Sequence, residues 1–140
     1  MEQIIFNGVV KYAYYGKSDN DNKDKTRILV TVDDANIDDI RKKLTECYKS
    51  SSLKPKFITE NGTDLMIKSL YDVPCRMDAD TSQIKELWSD YDTTAKGFID
   101  MGYTVGAKVK VKVKLKDGAM YPVALVVKEL GTKYNPLDDM

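Results

Sequence analysis

From Ala107 to Gly118 the chain reads AKVKVKVKLKDG, a lysine at every second position for nine residues with an aliphatic residue between each pair. A helix would scatter those lysines around its circumference. A strand sorts them, because successive side chains point to opposite faces. The spacing therefore predicts a strand with Val109, Val111, Val113 and Leu115 on a dry face and Lys108, Lys110, Lys112, Lys114 and Lys116 on the other. Asp117-Gly118 is a turn signal, and MYPVALVVKEL after it predicts the returning strand of a hairpin. Pro122 has no N–H for a ladder, so its end of that strand belongs at an edge or a bulge.

Other segments follow by the same rules. EQIIFNGVVKYAYY is a long first strand whose alternation shifts phase near Gly8, as a bulge or sharp coil would make it. GKSDNDNKDK, Gly16 to Lys25, is wholly polar and reads as a long mobile loop. RILVTV alternates, with Ile28, Val30 and Val32 on one side. Asn36 with Asp39 predicts a helix cap, and Ile37, Ile40, Leu44 and Cys47 or Tyr48 recur at helical spacing over 37–50. KFITE and DLMIKSLYDV around Asn61-Gly62 predict a hairpin. A second helix is expected over 81–91, with Ile84, Leu87, Trp88 and Tyr91 as its apolar stripe. DTTAKGFIDMGYTVG reads as irregular.

The expected architecture is α+β and mainly β. Long strand, strand, strand, helix, strand, strand is the order of the OB-fold, a five-stranded, partly open Greek-key barrel. The sequence predicts such a five- to six-stranded barrel with two helices, Gly8 letting the first strand serve both halves and Trp88 packing under the core. The helix over 37–50 is then an insertion. A different α+β sheet with two helices on one face is the competing arrangement. One domain is expected over 1–134, followed by a short acidic tail over 135–140.

Composition narrows function by exclusion. The longest apolar runs, such as VALVV, are far shorter than the roughly 18 residues of a membrane span, and MEQIIFNG has no leader character, so a cytoplasmic protein is expected. Histidine is absent, and Cys47 and Cys75 stand apart without metal-site spacing; neither a metal nor a cofactor is expected. No phosphate-loop pattern or activated Ser or Cys is present, which speaks against an enzyme. Asp33-Asp34 and Asp38-Asp39 fit a turn and a helix N-terminus. Net charge is zero, with 22 basic against 22 acidic residues, but it is segregated. Seven lysines face two acids between Thr104 and Tyr134, whereas six acids face two lysines between Met77 and Tyr103.

The lysine comb has two readings. Lysines on an exposed strand face block edge pairing and cover apolar surface with their stems. Alternatively, same-face residues repeat about every 6.6–7 Å, near the spacing of phosphates along an extended single strand, and five like charges in a row invite an anionic partner. Nine tyrosines against three phenylalanines add rings that favour a wet end. Tyr12, Tyr14, Tyr71 and Tyr121 are candidate stacking platforms, and Lys11 and Lys68 extend the basic track. In the tail, Leu137, Asp138, Asp139 and Met140 form a docking tip suited to a basic pocket.

The stretch GYTVGAKVKVKVKLKDGAMYPVALVVKELG, together with the terminal LDDM, resembles the single-stranded-DNA-binding proteins of bacteriophages. The resemblance implies an OB-fold, sequence-tolerant binding of single-stranded DNA in replication or recombination, and self-association into an oligomer. It also implies contact with replication or recombination proteins through the acidic tip. This tip departs from the family in lacking a terminal phenylalanine and in being short. The rival expectation is a non-catalytic protein-interaction or structural accessory module of a phage or mobile element, pairing through an edge strand.

Overall fold

A computed structural model describes residues 2–17, 24–69, 72–80, 94–116 and 118–132. Its elements, in chain order, are β1 (Glu2–Lys17), β2 (Asp24–Val32), α1 (Ile37–Cys47), α2 (Lys56–Thr59), β3 (Asp64–Ser69), β4 (Cys75–Met77), α3 (Ala95–Met101), β5 (Lys108–Lys116) and β6 (Ala119–Glu129). The six strands form one sheet in the order β3-β2-β1-β5-β6-β4. All neighbours are antiparallel except β4 and β6. The protein is thus α+β and mainly β, with an OB-like strand order. The sheet does not close: β3 and β6 approach within 8 Å between Cα atoms but are not hydrogen-bonded neighbours.

The long first strand makes this shape. Residues 2–9 of β1 pair with β5, and residues 8–17 pair with β2. Gly8 belongs to both ladders, opposite Val32 on one side and Val109 on the other. A Cβ there would run into the Val30 side chain and the Thr31 carbonyl oxygen, so only glycine lets the two half-sheets fold this closely. The phase shift expected near Gly8 falls two residues later, as a bulge between Val10 and Tyr12. Pro122 sits at the second expected irregularity, where β5 and β6 change register between Lys112 and Val113.

Between the half-sheets lies one core. Phe6, Val30, Leu65, Val113 and Val127 supply its sheet side, and Leu44, Phe57 and Phe98 come from the three helices. Arg41 ties α1 to its surroundings: its guanidinium lies 4.9 Å over the Phe57 ring and donates to the carbonyls of Phe57 and Gly62.

Four local expectations need correction. KFIT is a helical turn, not a strand, so Asn61-Gly62 turns no hairpin; Pro55 heads the turn, and burial of Phe57 outweighs its strand propensity. The stretch read as irregular contains α3. Thr94 Oγ1 accepts from the Gly97 N–H at its start, and Gly102 ends it in the left-handed conformation at φ 84°. Asn36 stands at the head of α1 but makes no side-chain cap; instead Asp34 accepts from the Asn36 N–H. The polar loop is narrower than Gly16 to Lys25, since β1 runs to Lys17 and β2 begins at Asp24. The helix expected over 81–91, with Trp88, lies outside the described residues.

Candidate nucleic-acid interface

β5 is an inner strand, hydrogen-bonded to β1 on one side and β6 on the other. Val109, Val111, Val113 and Leu115 are all buried, which turns the five lysines outward as expected. Because β5 has no free edge, the comb cannot serve to block edge pairing. That removes the edge-blocking half of the first reading; a solvated face whose lysine stems cover apolar surface is still compatible with the fold.

Register places a specific neighbour on each side of four of the five lysines. Lys114 lies between Gln3 and Tyr121, Lys112 between Ile5 and Ala124, Lys110 between Asn7 and Val126, and Lys108 between Val9 and Glu129. Ile5 and Tyr121 are large side chains left 55% and 51% exposed. Lysine ammonium groups are thereby flanked by apolar and aromatic surface. Directly opposed pairs stand about 4.5–5.5 Å apart at Cβ, close enough for a ring to cover the stem of its neighbour.

The comb is electrostatically lopsided. Lys108 pairs with Glu129 at 3.4 Å, and Asp34 acts on Lys110 through space. The Asp34 carboxyl is held below its ordinary range by the backbone N–H of Asn36, then by that of Asn7, with Lys110 adding a smaller pull. Among the described residues, no carboxylate forms an ion pair with Lys110, Lys112, Lys114 or Lys116. Among the described residues, the hairpin end of the comb is therefore the end without an ion pair.

A second cluster lies on the other half-sheet. Tyr14, Arg27 and Lys68 form one cross-strand row, and Tyr12, Leu29 and Met66 the next. Tyr12 and Tyr14 are exposed. Lys11 is drawn aside by a 2.7 Å ion pair with Asp64, whose carboxyl also accepts from Thr31 and sits below its ordinary range for those reasons. Arg27 is a member that sequence reasoning missed. It was visible only as a residue on the wet side of RILVTV, and its opposition to Tyr14 and Lys68 comes from register. Its Nε is buried without a hydrogen-bond partner.

Beside the comb, across β6, runs a groove of about 510 Å³ lined by Pro74, Cys75, Arg76, Met77, Ala124, Leu125 and Val126. Arg76 at its rim makes a two-point ion pair with Asp78, which Lys128 also reaches at 3.3 Å. Tyr71 and the tip Leu137, Asp138, Asp139 and Met140 lie outside the described residues. Among the described residues no three Cys, Asp or Glu side chains gather into a metal-holding group, and no helix is long and apolar enough to cross a membrane.

Comparison with family models, curated proteins and solved structures finds no match to this chain.

Proposed function

We propose that the protein binds single-stranded DNA, without marked sequence preference, along the outer face of β1, β5 and β6. One observation carries the reading: a row of lysines on an inner strand, without an ion pair over its hairpin end among the described residues, and bordered by exposed Ile5 and Tyr121. Lys112, Lys114 and Lys116 neutralise successive phosphates. Bases then lie sideways on Tyr121 and over the Ala124–Val126 floor of the adjoining groove. Each stacked base contributes about 1–3 kcal/mol whatever its identity, because every base presents a π-face. Tyr12, Tyr14, Arg27 and Lys68 offer a second platform of the same composition on the other half-sheet. Two free thiols agree with the reducing cytoplasm in which such a strand would be met.

The test is fluorescence anisotropy with a labelled thymine oligonucleotide of about 30 bases against a duplex of equal length, at two salt concentrations. We expect tight binding to the single strand and a log–log salt slope of about −0.7 per phosphate contact. Replacing Lys112, Lys114 and Lys116 together by glutamine should abolish it. Unchanged affinity in that variant would move the site off the comb. No binding of the wild type at low salt would favour the rival reading, a protein-interaction module of a phage or mobile element.

A further inference from the structure

Val9 belongs to both ladders of β1, opposite Thr31 on β2 and Lys108 on β5. Register carries the row further on either side, to Asp64 on β3 and to Glu129 on β6. One cross-strand row, Asp64–Thr31–Val9–Lys108–Glu129, therefore spans five strands where β1 passes from one half-sheet to the other. Directly opposed residues share a face, and the next residues along, Val10, Val30, Leu65 and Val109, are buried. The row thus lies on the outer face, in line with the comb.

Each end of this row is an acid that holds a lysine. Lys11, the extra residue of the bulge between Val10 and Tyr12, donates to one Asp64 oxygen at 2.7 Å, and Thr31 donates to the other. Lys108 meets Glu129 at 3.4 Å. Beside Lys108, Asp33 and Lys128 help to line a dent of about 210 Å³, and Lys128 is itself held by Asp78 at 3.3 Å. Asp34, bonded to Asn7, stands by Lys110 in the next row. Around this row every lysine of the three has its own carboxylate, and Asp33 and Asp34 are in addition. On either side the balance reverses. Towards the hairpin lie Lys112, Lys114 and Lys116 with Ile5 and Tyr121. In the other direction come the rows Tyr12–Leu29–Met66 and Tyr14–Arg27–Lys68, where among the described residues neither cation forms an ion pair.

We infer that this row is an electrostatic break that divides the single-strand site in two, and that Asp64 and Glu129 are the residues that make it. A strand on the comb has lysines to meet from Lys116 back to Lys110, about 20 Å or three to four phosphates. At the row it meets ammonium groups already paired, which must give up a carboxylate to take a phosphate. A phosphate about 7 Å from such a carboxylate is also repelled by about 0.6 kcal/mol in water, before screening. The strand stops there, and Tyr12, Tyr14, Arg27 and Lys68 take a separate segment. This rests on the single-strand reading and adds to it a length: two short sites in place of one long track.

The test is the double variant Asp64→Asn and Glu129→Gln, titrated with thymine oligonucleotides of about 5 and about 30 bases. Salt runs from about 0.1 M upward, where the Debye length is about 10 Å or less and distant charges are screened. An amide oxygen at position 64 still accepts from Thr31, and Glu129 is 64% exposed, so the fold should survive; circular dichroism checks this. With Lys11 and Lys108 released, affinity for the long strand should rise about tenfold and its salt slope steepen by about 1.4, two contacts at roughly 0.7 each. The short strand, which the comb already fills, should keep its affinity. Adding Lys11→Gln and Lys108→Gln restores the net charge and should abolish the gain. A gain that persists there would mean that the acids hold no lysine back, and would overturn the inference. An equal gain at both lengths would reflect net charge alone and do the same. So would no gain at either length while the comb variant loses binding; the function would then stand and the break fall. A wild type that binds neither strand would remove both.

Discussion

Phenylalanine and tyrosine have parted company in this protein. Phe6, Phe57 and Phe98 are all buried in the core, while Tyr12, Tyr14 and Tyr121 keep about half their surface in solvent. One hydroxyl decides this: a buried phenol must find a partner, and an exposed one has water. The residues that can stack on a ligand are thus not the ones that hold the fold. Cys75 belongs to the fold. Buried on β4, its thiol is pushed up to about 12, first by burial and then by the Asp72 charge. In the unfolded chain a thiol ionises near 8.5. Below that pH neither state is ionised and nothing is lost. Between there and about 12 only the unfolded state gives up its proton, so stability should fall as pH rises, at up to about 1.4 kcal/mol per unit. Urea midpoints measured on the alkaline side should therefore drop more steeply for the wild type than for Cys75→Ala. Parallel profiles would mean that the thiol is not shielded in solution.

Elements were legible to different degrees, and the reason lies in where each hides its apolar side. β5 and β2 alternate strictly because one face meets the core and the other meets water, and both were readable from period two alone. KFIT and AKGFIDM were misread because each is a short helix of four or seven residues. Such a run is too brief for a helical period, though Thr94 and Gly102 did mark the ends of α3. The insertion helix α1 raises a different issue, namely whether it is an appendage. Leu44 is fully buried among residues of the sheet, and Arg41 links α1 to Phe57 and Gly62, so the helix is part of the core. Leu44→Ala should cost about 2–5 kcal/mol in urea unfolding, as truncations in a close-packed site do. A loss below about 1 kcal/mol would place α1 on the periphery.

For the whole molecule, zero net charge conceals a dipolar arrangement in which one strand carries five lysines. Neighbouring charges about 7 Å apart repel by about 0.6 kcal/mol in water, before screening. Among the described residues the acids near the comb stand at Lys108 and Lys110, so the free protein bears this repulsion over the rest of the row. Added salt should accordingly stabilise the unliganded protein by about 1 kcal/mol, or roughly 3 °C in melting temperature, while weakening its complex with a strand. Calorimetry of the wild type and the Lys112/Lys114/Lys116 glutamine variant over a salt series checks this, since the variant should lose most of the gain. An equal gain in both would assign the effect to something other than the comb. The strand character of the comb, its dry and wet faces, the shortness of every apolar run and the OB-like succession of elements along the chain were all legible in the sequence, because each depends on local spacing or on composition. Tertiary structure alone decided that β5 is an inner strand, that Glu129 and Asp34 quiet one end of it, that Arg27 faces Tyr14 and Lys68, and that the C-terminal end of α1 meets the other end through Cys47. Those four facts depend on strand order and register. Both are set by how Gly8 hands β1 from one half-sheet to the other, and no local pattern records them.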